Sequence, residues 1–194
     1  MELITNVLYW ISTGLMIPVT ILLLYFLIYS IIMIGGFYGN HISRKKINVR
    51  INRDIENNTV DDVLCNLSSV NAQDSLLINT LERIKSSTTH AKMDKIIGDY
   101  EIDADKEISK SKLLVKIGPM LGLMGTLIPM GPALVGLATG DVASMASNMQ
   151  VAFATTVVGI IIGAIGFVTL QVKQRWVADD LNIIEYIVKT KKAQ

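Results

Sequence analysis

The chain has 194 residues, 18 Lys and Arg against 17 Asp and Glu, a formal net charge of +1 and 51% hydrophobic residues. A balance so close to neutral gives no electrostatic footprint for a nucleic acid or any other strongly charged partner. The placement of the charges is more telling. From Leu3 to Ser43 there is no Lys, Arg, Asp or Glu, and between Lys116 and Lys173 the only such residue is Asp141. A spanning helix needs about 20 predominantly apolar residues. The first stretch allows one pass, and the second allows two with Gly140-Asp141 as the break. Core helices of soluble proteins interleave charge on an exposed face, which these stretches do not. No basic residue precedes the first run, which also exceeds the apolar region of about 7–15 residues of a cleaved signal. It is expected to stay as an anchor. The expected fold class is an all-α membrane protein with three transmembrane helices and long cytoplasmic helical extensions.

Orientation follows from the basic residues. All 18 lie in two blocks, Arg44 to Lys116 and Lys173 to Lys192, while the N-terminal tip and the Gly140-Asp141 break carry none. The positive-inside rule then places the N-terminus outside and both blocks in the cytoplasm of a cell-membrane protein. Cys65, the single cysteine, falls in the reducing compartment and reads as a small packing residue.

Taken in order, residues 1–40 hold the first span. Pro18 is a candidate kink, Trp10 and Tyr38 suit interfacial aromatic belts, and Gly35, Gly36 and Gly39 are expected to loosen the exit. Arg44-Lys45-Lys46 then follow at headgroup level. Residues 41–112 read as a cytoplasmic helical region. Thr59 with Asp61 and Asp62 signals the start of a short helix bearing Val63, Leu64 and Leu67. Leu77, Leu81 and Ile84 recur at helical spacing. Ser86-Ser87-Thr88-Thr89 reads as a linker and cap, after which Met93, Ile97, Tyr100 and Ala104 form an apolar seam running toward Lys116. Residues 113–172 hold the second and third spans. Residues 173–194 form a C-terminal cytoplasmic helix with a seam of Val177, Leu181, Ile184 and Val188, and such seams need partners.

The residues offer no enzyme chemistry. His41 and His90 are the only histidines, and neither has a companion at metal-ligand spacing. Asp99, Glu101, Asp103 and Asp105 lack the central Gly and terminal Glu of a calcium loop and read as a solvated helix face. No metal, cofactor or catalytic group is expected.

The second and third spans carry more than an anchor requires. Gly118 and Gly122 form a small-xxx-small pair, as do Gly159 and Gly163, and Gly125 continues the first ridge. Such ridges let helices approach closely where lipid supplies no hydrophobic drive for association. Thr126 lies four residues beyond Gly122, and Thr156 shares a face with Ala152, Gly159 and Gly163, with Thr155 alongside. At 1.5 Å per residue, Thr126 is about 15 Å from Lys116 and Thr156 about 12 Å from Asn148. The hydroxyls are thus deep in the hydrocarbon and can line a polar path.

The stretch GPMLGLMGTLIPMGPAL, followed by VAFATTVVGIIIGAIGF, resembles the MotA/TolQ/ExbB family of ion-channel subunits over residues 113–190. Thr126 matches the Gly-Thr of the family's penultimate span, and Thr156 with Gly159 matches the Ala-Thr and Gly of its last. The three-span, N-outside plan is similar to TolQ and ExbB. The resemblance implies a homo-oligomer, pentameric in the family, around a dimer of single-span ExbD/TolR/MotB-like partners that each carry an intramembrane aspartate. Thr126, Thr155 and Thr156 would line the ion path, and gradient-driven flow of protons or sodium would do mechanical work. TolQ and ExbB carry a glutamate at the start of the last span, where this chain has Gln150 or Val151. The spans therefore contain no carboxylate, Lys or His of their own. A bare charge in hydrocarbon costs on the order of tens of kcal/mol, so a relay acid must come from another chain. The rival expectation is a non-conducting scaffold whose cytoplasmic helices recruit a soluble partner.

Overall fold

The computed structural model describes residues 2–57, 76–87 and 89–193. They form four helices: α1 (Glu2–Asn57), α2 (Leu76–Lys85), α3 (His90–Thr139) and α4 (Val142–Ala193). The expected helix around Val63, Leu64 and Leu67, with Cys65, lies outside the described residues. Three helices are long and apolar enough to cross a membrane, within Thr13–Phe37, His90–Thr139 and Val142–Lys191. A helix of 50 residues, the length of α3, is about 75 Å long against about 30 Å of hydrocarbon. The polar ends of the long helices therefore extend beyond the bilayer.

The glycines after the first span do not interrupt it. The helix α1 continues through Gly35, Gly36 and Gly39 to Asn57. Each glycine lowers helix propensity by about 1 kcal/mol relative to Ala, but it still donates its N–H to the ladder, and no proline follows to end the helix. Pro18 likewise sits inside α1, and Pro119, Pro129 and Pro132 sit inside α3.

The chain divides into two units, Met1–Gly36 with Ser111–Thr169, and Phe37–Lys110 with Leu170–Gln194. In the first, Val19 and Leu23 of α1 meet Leu114, Leu121 and Ile128 of α3 and Ile162 of α4. Ser30 and Ser111 are fully buried beside this cluster. The outer faces are no less apolar than the inside: Ile21, Ile28, Ile32, Leu123, Leu127, Phe153, Val157 and Ile160 are all exposed. Helices that are apolar all round belong in lipid.

The second unit has an ordinary inward-facing core. Leu77, Leu81 and Ile84 of α2, Met93, Ile96, Tyr100 and Ala104 of α3, and Ile183, Ile184, Ile187 and Val188 of α4 pack together. Ser86 and Ser87 form the expected linker, and the Thr89 carbonyl opens α3 by accepting from the N–H groups of Lys92 and Met93. On α4 the buried face is centred between the expected positions, so Val177 and Leu181 are half-buried while Asp180 is fully buried. There Tyr100 Oη donates to Asp180 Oδ2 at 2.8 Å. Lys191 Nζ donates to the carbonyls of Ile84, Lys85 and Ser87 at 2.9–3.0 Å, placing a cation on the negative end of α2. Phe37 stacks on Trp176 with ring centroids 5.2 Å apart. Two of the four acids of the α3 stretch are ion-paired, Asp99 with Arg83 and Asp103 with Lys106, and Glu101 and Asp105 are exposed. The Asp103 carboxylate holds the Lys106 ammonium above the usual lysine range.

Two outcomes follow from these contacts. Lys191→Met removes the charged cap from α2, at a cost of about 1–2 kcal/mol. Amide hydrogen exchange is expected to accelerate over Leu76–Lys85 while that of the membrane spans stays unchanged. Tyr100→Phe withdraws a donor from the buried Asp180 carboxyl and costs about 1–3 kcal/mol. Adding Asp180→Leu is expected to restore most of that loss in a thermal melt, because an apolar pair can replace a buried polar one.

Candidate functional site

The site lies in the first unit, where α3 and α4 run antiparallel from a tight turn. Gly140 has φ +78°, which a residue with a Cβ adopts only under strain. The Gly140 and Asp141 N–H groups bond back to the carbonyls of Leu137 and Gly136 and close α3. Asp141 Oδ1 accepts the Ser144 N–H at 3.0 Å and caps α4. The single charged residue between the two spans is thus the helix cap.

From that turn the helices stay in close contact through glycine. A Cβ on Gly159 would stand 2.6 Å from Gly122 Cα, and one on Gly118 would stand 2.7 Å from the Gly163 nitrogen. These are backbone atoms that no side-chain rotation can move. Gly125 admits the Thr155 side chain, whose Cβ and Oγ1 would both be 2.6 Å from an added methyl, and Gly163 meets the Pro119 ring. All five glycines singled out in the sequence therefore lie at the contact. Gly166 belongs with them, since its added Cβ would stand 2.8 Å from Leu114 Cβ. Its signal was the 4-3 spacing after Gly159 and Gly163. Gly131 has nothing within 4 Å.

The three threonines occupy different environments. Thr155 is 7% exposed and wedged against Gly125 inside the α3–α4 contact, whereas Thr126 and Thr156 are half-buried. Their hydroxyls turn to their own helices: Thr126 donates to the Leu123 carbonyl at 2.7 Å, and Thr155 and Thr156 both donate to the Ala152 carbonyl, at 2.9 and 3.1 Å. This is the usual resort of a hydroxyl without water. Each oxygen keeps lone pairs with which to accept. The prolines add acceptors, because Pro119 and Pro129 have no N–H for the carbonyls of Val115 and Gly125. What the arrangement offers is an acceptor-rich strip between apolar faces, with no titratable side chain from 117 to 140 or from 142 to 172. Gln150 is exposed and Val151 half-buried.

A family model described as the MotA/TolQ/ExbB proton channel family matches residues 68–185, more than half of the chain. The chain belongs to the MotA/TolQ/ExbB family. It is a multi-pass membrane protein of a proton channel family, and the match takes in the three threonines and every glycine of the contact. The match also reaches further toward the N-terminus than the 113–190 stretch whose motifs carry the resemblance. It includes α2 and the part of α3 before Ser111, which have a packed seam and no conspicuous motif. Searches of curated proteins and of solved structures each found no match.

Glycine substitutions separate contact from propensity in this MotA/TolQ/ExbB member. Gly159→Ala forces backbone apart and is expected to destabilise by about 1–3 kcal/mol, lowering the melting midpoint in detergent. Gly131→Ala meets open space and is expected to be neutral or stabilising by up to about 1 kcal/mol.

Proposed function

We propose that the protein is a non-enzymatic, stator-like subunit that couples proton or sodium flow across the cell membrane to mechanical work. In this reading the N-terminus is outside, and both basic blocks and the polar parts of α2, α3 and α4 are cytoplasmic. Several copies surround single-span partners of the ExbD/TolR/MotB type, and an aspartate on each partner brings the proton-binding group these spans lack. Thr126 and Thr156, half-buried at the glycine contact, face that aspartate, while Thr155 sets the spacing between α3 and α4. The observation that carries the reading is the placement of Thr155 and Thr156 at the α3–α4 glycine contact of a family proton-channel core, with Thr126 next to Gly125 in sequence and no acid beside them. Each elementary charge crossing 100 mV releases about 2.3 kcal/mol, so a mechanical step draws on several ions.

A second reading, a non-conducting scaffold, has one observation in its favour. The three hydroxyls are bonded within their own helices, as plain packing threonines would be. Flux through proteoliposomes holding the complex with its co-purified single-span partner decides between the two. Thr126→Val and Thr156→Val are each expected to cut gradient-driven proton flux by about tenfold, the effect of about 1.4 kcal/mol on a barrier. Unchanged flux and unchanged output in both variants would reject the pathway and favour the scaffold.

A further inference from the structure

Charge begins at different levels on the three helices of the first unit. A Cβ on Gly166 of α4 would stand 2.8 Å from the Val115 nitrogen of α3, so Lys116 is level with the turn of α4 around Gly166. Beyond Gly166 the next charged residue of α4 is Lys173, about 10 Å further along the axis. On α1, Met33 Sδ accepts the Ser111 hydroxyl at 3.9 Å. The first charge beyond Met33 is Arg44, about 16 Å further on. Near this level Ile31, Ile32, Phe167 and Val168 are exposed, and so much bare aliphatic and aromatic surface belongs against lipid. Lys116 is thus a cation set back among apolar neighbours. It is exposed, as are Leu113 and Met120 on the same face of α3. Among the described residues it makes no hydrogen bond or ion pair. Lys112, half-buried, lies four residues away, and like charges at that spacing repel.

We infer that Lys116, together with Lys112, binds the phosphate of an anionic phospholipid whose acyl chain lies along Met120, Leu123 and Leu127. A cation at the edge of hydrocarbon needs a counter-anion, and this chain has none within reach. The nearest acid on α3 is Glu107, nine residues and about 14 Å away along the axis. On α4 the first acid beyond Gly166 is Asp179, about 20 Å on, and α1 has none from Leu3 to Arg53. A second copy related by an axis along the membrane normal brings the same residues to the same depth, so it supplies no acid either. Lipid phosphates line this boundary already, and the lysine stem lets the ammonium rise to meet them. A phosphate between Lys112 and Lys116 turns their repulsion into a shared attraction. The apolar strip decides between a lipid and a free phosphate. Met120, Leu123 and Leu127 follow Lys116 at i+4, i+7 and i+11 and are all exposed. They extend about 16 Å from it, close to the half-thickness of about 15 Å that an acyl chain fills. The inference stands on this face of α3 and does not depend on ion flow.

Native mass spectrometry of the full chain tests this, after delipidation in detergent and titration with phosphatidylglycerol or with phosphatidylcholine of the same acyl chains. Wild type is expected to bind phosphatidylglycerol about fivefold more tightly, the effect of one lysine at an anionic lipid surface. Lys116→Met is expected to erase that preference, and Lys116→Arg to keep it within about twofold. Lys110→Met removes the same charge from another face of α3 and is expected to leave the preference unchanged. Equal binding of the two lipids by wild type, or a preference that survives in Lys116→Met, overturns the site. An equal loss in Lys110→Met overturns it in favour of diffuse attraction to any basic residue. Inorganic phosphate is expected not to displace phosphatidylglycerol, and displacement at matched concentration overturns the lipid as the source of the phosphate. If Lys116→Met instead loses a co-purified chain and keeps its lipid, the counter-anion is a protein carboxylate and the inference falls.

Discussion

Hydrocarbon offers a polar group no partner, and most of what distinguishes the first unit follows from that. A hydroxyl in water can choose its bonds. In lipid it must find a protein acceptor, and Thr20, Ser30, Thr126, Thr155, Thr156 and Thr169 all turn to carbonyls of their own helix. The same solvent gives apolar side chains no reason to hide, so isoleucine, leucine and phenylalanine cover the outside. Helix association must then come from close packing, and the glycines of α3 and α4 provide it by bringing backbone against backbone. The constraint also keeps charge out of the spans, which hold no titratable side chain from 117 to 140 or from 142 to 172.

The second unit is built by the opposite rule. Its apolar residues face inward, with Tyr100 and Asp180 hydrogen-bonded among them and Lys191 capping α2. The helices α1, α3 and α4 contribute residues to both units. On α3 and α4, one continuous helix changes from a glycine contact to an aliphatic seam. Apolar contacts tolerate sliding, whereas a buried hydrogen-bonded pair penalises any arrangement that separates its members. The pair thus adds specificity to a core that is otherwise aliphatic.

The spans were legible because charge is absent over stretches longer than a bilayer needs, and the break at Gly140-Asp141 was legible because nothing else interrupts the second stretch. The ridges on Gly118, Gly122, Gly125, Gly159 and Gly163 could be read from their 3–4 spacing, and the threonines from their place beside those ridges. The difference between Thr155 and Thr156 could not be read. Adjacent residues are about 100° apart on a helix, and only the partner helix decides which points inward. The buried Asp180 was missed for a related reason. Val177 and Leu181 drew the seam to one side of it, although its i+4 relation to Ile184 was a usable signal. The persistence of α1 through Gly35, Gly36 and Gly39 went against local propensity, which is a weak term beside an uninterrupted ladder.

The measurement that bears most directly on the account is gradient-driven current through liposomes containing this polypeptide and no other. Spans that hold hydroxyls, glycines and no proton-binding side chain predict current indistinguishable from empty vesicles. Robust current from the chain alone would contradict the account, because a proton path would then exist without a borrowed acid.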